Sequence, residues 1–222
     1  MEDSARGRRP SAAIGVLLGA GAAGVAVAGA AARARRRRRS GRAGSGPGAA
    51  NGTGPLLRED FPEAAEAIRA LREAGMSVAV AESCTGGLCG AALTAIPGSS
   101  SVMVGGVIAY SDRVKSELLG VPGELIEREG AVSEALAAAM AEGARRRVGA
   151  DVGIGITGVA GPAGDETGKP IGLIHVCVVT PQRTRRLRLT GDHGRESNRA
   201  GAVHAALQLC AEAGAVGAVP AP

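Results

Sequence analysis

Apolar positions along this chain switch between two periods, and the switching lays out an α/β domain. Residues 61–74 place Phe61, Ala64, Ala65, Ile68 and Leu71 at helical spacing, with Gly75 as the stop. Residues 76–81 form a short apolar run that reads as a buried strand, and residues 88–96 read as a Gly/Ala/Leu helix. After a turn at 97–101, residues 102–110 read as a second strand. A short helix carrying Lys115 follows, capped by Ser111 or Asp112 and interrupted by Gly120 and Pro122. Residues 133–148 form the next helix, with Ser133 as its N-cap. Residues 151–157 are a third strand, and 171–180 a continuous apolar run suited to the inside of a sheet. Residues 184–190 alternate Arg with Leu, the pattern of an exposed edge strand. Residues 196–213 are the last helix, and the chain from Gly214 reads as a frayed end. The order β, α, β, α, α, β, β, β, α behind a leading helix predicts one α/β domain with helices over a mixed sheet.

The predicted domain covers residues 56–213 and follows a tail of different character at 1–55. Residues 12–32 lack charge but are mostly Ala and Gly, and Arg clusters flank them. Three readings fit this stretch: a weak signal-anchor helix, a targeting segment, or a low-complexity extension. Residues 40–54 read as a flexible linker. The expected location is the cytoplasm, with tethering to a membrane only through residues 12–32. The charge of +5 belongs to this tail, because residues 1–57 hold ten Arg against Glu2 and Asp3. Residues 58–222 are net acidic, so the domain has no global field for nucleic acid. Any acidic membrane or nucleic-acid partner would work through the Arg cluster at 33–42.

Two features of composition narrow the chemistry. Phe61 and Tyr110 are the whole aromatic set, which argues against a base-stacking platform. Of 26 basic residues only Lys115 and Lys169 are lysines, and Arg cannot act as a base. The four cysteines have no metal-ligand spacing and read as small buried hydrophobes. Cys84 carries a second reading as nucleophile, without a nearby His to activate it. His175 reads as a sheet histidine and His204 as a surface one. No metal or cofactor is implied, since no His/Cys/carboxylate cluster offers a site.

Three loops follow predicted strands and carry polar residues that the fold does not need: 82–87, 110–115 and 157–167. In open α/β sheets, sites form beyond the carboxyl ends of strands. Glu82-Ser83-Cys84-Thr85-Gly86-Gly87 joins a strand to a helix, where N–H groups and the helix dipole suit an anion. Ser83 would be the nucleophile, with Tyr110 and Lys115 as the groups able to take its proton. That role requires Lys115 to be partly desolvated. Thr85, Gly86 and Gly87 would supply N–H donors to an oxyanion. Thr157 with Gly158 to Gly161 would cradle a phosphate.

These stretches resemble a known family. Residues 81–88 (Ala-Glu-Ser-Cys-Thr-Gly-Gly-Leu), 106–115 (Gly-Val-Ile-Ala-Tyr-Ser-Asp-Arg-Val-Lys), 130–133 and 155–162, extended by Lys169-Pro170-Ile171-Gly172, are similar to the C-terminal domain of competence/damage-inducible CinA proteins. That domain also occurs alone as nicotinamide-nucleotide amidohydrolase. The resemblance spans roughly residues 60–212 in order and spacing. It implies a three-layer α/β/α sandwich and deamidation of nicotinamide mononucleotide. It also implies a Ser nucleophile assisted by Tyr and Lys, carried here by Ser83, Tyr110 and Lys115. Glu82 and Arg195 join the implied substrate contacts. Before the last helix the family carries Gly-Asp-Arg, whereas this chain reads Gly191-Asp192-His193-Gly194-Arg195. The family's other, pyrophosphatase-like domain has no counterpart in this sequence. The expected partners are a small nucleotide substrate and further copies of the chain, given the 184–190 edge. The alternative to an enzyme is a non-catalytic pyridine-nucleotide-binding module.

Overall fold

A computed structural model describes residues 57–217. The readings made for residues 1–55 lie outside the described residues. The described part holds five strands and seven helices. In chain order these are α1 (Leu57–Asp60), α2 (Glu63–Glu73), β1 (Val78–Glu82), α3 (Leu88–Thr94), β2 (Met103–Ile108), α4 (Asp112–Leu119) and α5 (Gly123–Glu129). Then come α6 (Glu134–Val148), β3 (Val152–Gly158), β4 (Ile174–Val179), β5 (Thr184–Leu189) and α7 (Arg195–Gly217). The sheet order is β2-β1-β3-β4-β5. The first three strands are parallel, and β4 and β5 run antiparallel to their neighbours. The expected mixed sheet between two helical layers is what the chain forms.

Alternation within the strands decides which helix covers which face. In β1, Val78 and Val80 point to one side and Ala79 and Ala81 to the other. In β3, Val152, Ile154 and Ile156 share the Val face. That face packs on Ile68 and Leu71 of α2 and on Val203 and Leu207 of α7. Burying each Ile contributes about 1.5–3 kcal/mol. The opposite face of β3 is Gly153 and Gly155, so α6 lies directly on the strand backbone. A Cβ at either glycine would run into the carbonyls of Ala141 or Ala137. The core therefore closes with Phe61 as its one large aromatic among the described residues, through large aliphatics on one face of β3 and bare backbone on the other.

Local signals set most boundaries. Ser133 caps α6, its Oγ accepting from Leu136 N at 3.2 Å. Between the two caps expected for α4, Ser111 is the one used, its Oγ accepting from Val114 N at 3.4 Å. Three expectations fail in detail. Residues 171–173 turn, with Gly172 at φ 82°, and the strand begins at Ile174. Helix α5 is not expected, because Gly120 and Pro122 look like breakers. Pro122 is instead its N-cap, where a missing N–H costs nothing. The last helix does not fray at Gly214. It continues to Gly217, and Gly214 lets it touch α2, since a Cβ there would sit 2.7 Å from Ala70 C.

The edge reading of β5 holds, with five of its six residues exposed. Arg185 and Arg186 there pair with Glu212 and Glu134. No helix among the described residues is long and apolar enough to cross a membrane.

Candidate active site

Because β1, β2 and β3 are parallel, their carboxyl ends share one edge of the sheet. Ser83 follows β1, Tyr110 lies just beyond β2, and Gly158 ends β3. A cavity of about 400 Å³ opens there, lined by Ser83, Tyr110, Lys115, Thr157, Gly158, Gly161, Arg195 and their neighbours. Residues separated by as much as 112 positions thus meet at one place. Such a volume is in the range of small-ligand sites.

Ser83 is held by its backbone. Its N–H donates to Ile156 O at 3.0 Å and its carbonyl accepts from Gly86 N at 3.1 Å. Its Oγ makes no hydrogen bond among the described residues. Lys115 is 2% exposed, and its Nζ donates to Asp112 Oδ1 at 2.8 Å. The expected desolvation of Lys115 is therefore present, and an ion pair with a half-exposed carboxylate accompanies it. Tyr110 is 62% exposed, and its hydroxyl beside Arg195 holds the guanidinium pKa above its ordinary value. Arg195 also donates to Gly161 O. Beside the serine, burial pushes the Cys84 thiol up to about 12, and the Glu82 carboxylate adds to that. Cys84 lines the cavity but is 5% exposed, and its raised pKa disfavours the thiolate that a nucleophile needs.

Four expected contacts need correction. Glu82 does not line the cavity. It is 1% exposed and turns under the first turn of α3, accepting from Gly87 N (3.0 Å), Cys89 N (3.1 Å) and Gly90 N (2.8 Å). The helix N-terminus expected to face a ligand therefore already holds an internal carboxylate. Gly87 N–H is spent on Glu82 and Gly86 N–H on Ser83 O, so neither is an open oxyanion donor. Cys84 lines the cavity and its N–H has no partner among the described residues, whereas Thr85, also expected as a donor, does not line the cavity. The Thr85 side chain is fully buried with an unpartnered Oγ1, and its carbonyl accepts from Arg199 Nη2 at 2.9 Å.

The second cradle is also partly used. Thr157 Oγ1 donates to Ala131 O at 2.6 Å, so its one hydroxyl proton is not free for a phosphate. Val159 N–H bonds Leu173 O at 2.9 Å. The N–H groups of Ala160 and Gly161 have no partner among the described residues. Gly161 has φ 96°, and a Cβ there would lie 2.8 Å from Ile171 Cγ2, so the position needs glycine.

Sequence reasoning missed three contributors. Asn198, 5% exposed, donates to Ala160 O (3.1 Å) and accepts from His193 N (3.1 Å), anchoring the glycine loop to α7. Arg199 clamps the serine loop. The signal was available: Arg195, Asn198 and Arg199 fall at i, i+3 and i+4 and must share one helix face. Asp165 lines the cavity wall. Burial raises its pKa, but hydrogen bonds from Thr167 and Lys169 outweigh this and leave the carboxyl below its ordinary value. His175 is in the sheet as expected, its pKa lowered by burial and then by Arg188. No group of three His, Cys, Asp or Glu among the described residues could hold a metal ion.

Residues 61–213 match the family model of the CinA C-terminal domain. A CinA-like protein of Synechococcus sp. (strain RCC307) is 53% identical over 153 residues, covering 68% of this chain and 37% of that protein. The chain spans about a third of the length of the curated relatives it matches. Among solved structures, competence/damage inducible protein CihA from Agrobacterium tumefaciens superposes with a TM-score of 0.64 at 38% identity. That match covers 67% of this chain and 91% of that one. Competence damage-inducible protein A from Klebsiella pneumoniae superposes with a TM-score of 0.66 at 35% identity, covering 69% of this chain and 95% of the other.

Proposed function

The chain belongs to the CinA C-terminal domain family, and from that premise we propose that it is an amidohydrolase. Its substrate would be nicotinamide mononucleotide, converted to nicotinate mononucleotide and ammonia. The observation that carries this reading is the meeting of Ser83, Tyr110 and Lys115 in one cavity at the ends of the parallel strands. In the reaction, Ser83 Oγ forms a bond to the ring carboxamide carbon and gives its proton to Tyr110 or Lys115. The C–N bond then breaks, and the nitrogen leaves as ammonia with that proton. Water cleaves the resulting ester, releasing the carboxylate and restoring the serine. The oxyanion would lie against the Cys84 N–H group, one such donor being worth about 3 kcal/mol of barrier. Arg195 and the Ala160 and Gly161 N–H groups would take the phosphate.

A second reading, a non-catalytic pyridine-nucleotide-binding module, is favoured by the Lys115–Asp112 ion pair. That pair directs the amine to a carboxylate at 2.8 Å rather than to Ser83 Oγ. The test is ammonia release from nicotinamide mononucleotide by the full chain, beside its Ser83→Ala and Lys115→Ala variants. Release by wild type alone supports the amidohydrolase. Binding of the nucleotide without release, with Lys115→Ala losing only affinity, supports the module.

A further inference from the structure

The chain keeps lysine at only two positions, and the reaction above uses one of them. The other, Lys169, ends the polar loop that follows Pro162. Its Nζ crosses to a different part of the fold and donates to Glu129 O and Val132 O, each at 2.7 Å. Gly130 lies between those carbonyls at φ 77°, and a Cβ there would sit 2.6 Å from Nζ. The ammonium therefore fills a slot that glycine leaves open. At the other end of the residue, Lys169 N–H donates to Asp165 Oδ1 at 2.7 Å. The same carboxylate holds Thr167 N at 3.2 Å and Thr167 Oγ1 at 2.6 Å. The loop is thus braced on itself, and Lys169 is its tie to the turn between α5 and α6.

Both tied segments are walls of the cavity. Ala163, Gly164 and Asp165 form one side, and Ala131 and Val132 another. Ala131 is held from below by Thr157 Oγ1. Lys169 does not itself line the cavity among the described residues, so it acts through what it holds. We infer that Lys169 is a positioning residue: its ammonium staples the 163–165 wall to the 131–132 wall and sets the width of the nucleotide cavity. A compact ammonium with rotatable donors suits two carbonyls over a glycine. A planar guanidinium spreads its donors in a rigid fork and does not fit that slot.

The inference rests on the amidohydrolase reading for its kinetic consequence, but the staple can be read without activity. Full-length wild type, Lys169→Met, Lys169→Arg and Gly130→Ala would be compared by amide hydrogen exchange and by steady-state ammonia release. Exchange in peptides covering 129–133 and 162–168 should rise about tenfold in all three variants, with β3 and β4 protection unchanged. KM for nicotinamide mononucleotide should rise about tenfold while kcat stays within about threefold, the mark of lost binding without lost chemistry. Gly130→Ala keeps the lysine and serves if the Lys169 variants fold poorly. Wild-type protection and KM in Lys169→Arg would overturn the staple in favour of a pure charge effect. Unchanged exchange in Lys169→Met, or a loss confined to kcat, would also overturn it. If wild type releases no ammonia, the amidohydrolase reading fails, and the exchange comparison still decides the staple.

Discussion

Replacing Glu82 with Gln tests whether the serine loop is shaped by an internal anion. Glu82 Oε2 accepts two backbone N–H groups and Oε1 accepts one, in a site 1% exposed to solvent. A glutamine amide has one acceptor oxygen and one NH₂ group. With its oxygen in the Oε2 position, the NH₂ group faces Gly90 N–H, donor against donor. With the amide flipped, Gly87 and Cys89 lose their acceptor instead. At least one buried N–H is therefore orphaned. A hydrogen bond to a charged group is worth about 1.5–3 kcal/mol, so Glu82→Gln should cost about 2–3 kcal/mol. Glu82→Ala orphans all three donors and should cost about 4 kcal/mol or more, less what entering water restores. The opposing effect is desolvation: no cation pairs with Glu82 among the described residues, and a neutral isostere escapes the cost of burying charge. The sign of the result decides between them. Urea unfolding followed by far-UV circular dichroism is the assay, because the chain has no Trp for fluorescence. A Glu82→Gln midpoint equal to or above wild type would refute the argument that three N–H bonds outweigh desolvation. On the amidohydrolase proposal, a loop loosened in this way should also lower ammonia release at urea concentrations where the variant is still folded.

Gly155→Ala should cost about 3 kcal/mol, the upper part of the overpacking range, because its Cβ clashes with Ala137 O and α6 must lift off β3; chemical denaturation checks this. Asp151 has a folded pKa below its ordinary 3.8, first through the Ser77 N–H bond and then through Ser77 Oγ. Its depressed pKa means the stabilisation is present above that value and disappears as pH falls through the folded pKa. Asp151→Asn should therefore be less stable than wild type at neutral pH, with the gap closing as pH falls below the ordinary 3.8 and through the folded pKa; a gap that does not change with pH would count against it. All four cysteines are buried and free, and Cys84 is pushed up to about 12. On the amidohydrolase proposal, native protein treated with iodoacetamide should release ammonia as untreated protein does, and inactivation with a label on Cys84 would contradict the proposed role of Ser83.

What could be read from the chain depended on how far apart the interacting residues lie. Strands β1, β3 and β4 were legible because continuous apolar runs between turn signals have few other uses. The Arg-Leu alternation of β5 marked an edge strand, since a charge every second residue cannot be buried on both faces. Helix α5 was missed because Gly120 and Pro122, which mark an ending, also precede a beginning: Gly120 caps α4 and Pro122 starts α5. The end of α7 was missed because Gly214 looks like a frayed terminus until Ala70 is placed 2.7 Å from where its Cβ would be. Each of these errors turns on a contact that local sequence cannot show.

The same division explains the site. Ser83, Tyr110 and Lys115 were legible because strand ends in a parallel sheet collect on one edge, whatever else the fold does. Glu82, Gly86 and Gly87 were misassigned because a glycine-rich helix start presents the same pattern whether its anion is a ligand or a side chain. Only geometry shows that Glu82 sits there first. Thr157 was likewise read as a free hydroxyl, and it is spent on Ala131, a residue 26 positions away. The consequence is chemical. With the α3 N-terminus filled from inside, negative charge on a substrate has two places left in this cavity. One is the Cys84 backbone beside Ser83. The other is the Ala160–Gly161 backbone with Arg195. On the amidohydrolase proposal, a substrate carrying both a carboxamide and a phosphate would use one for each.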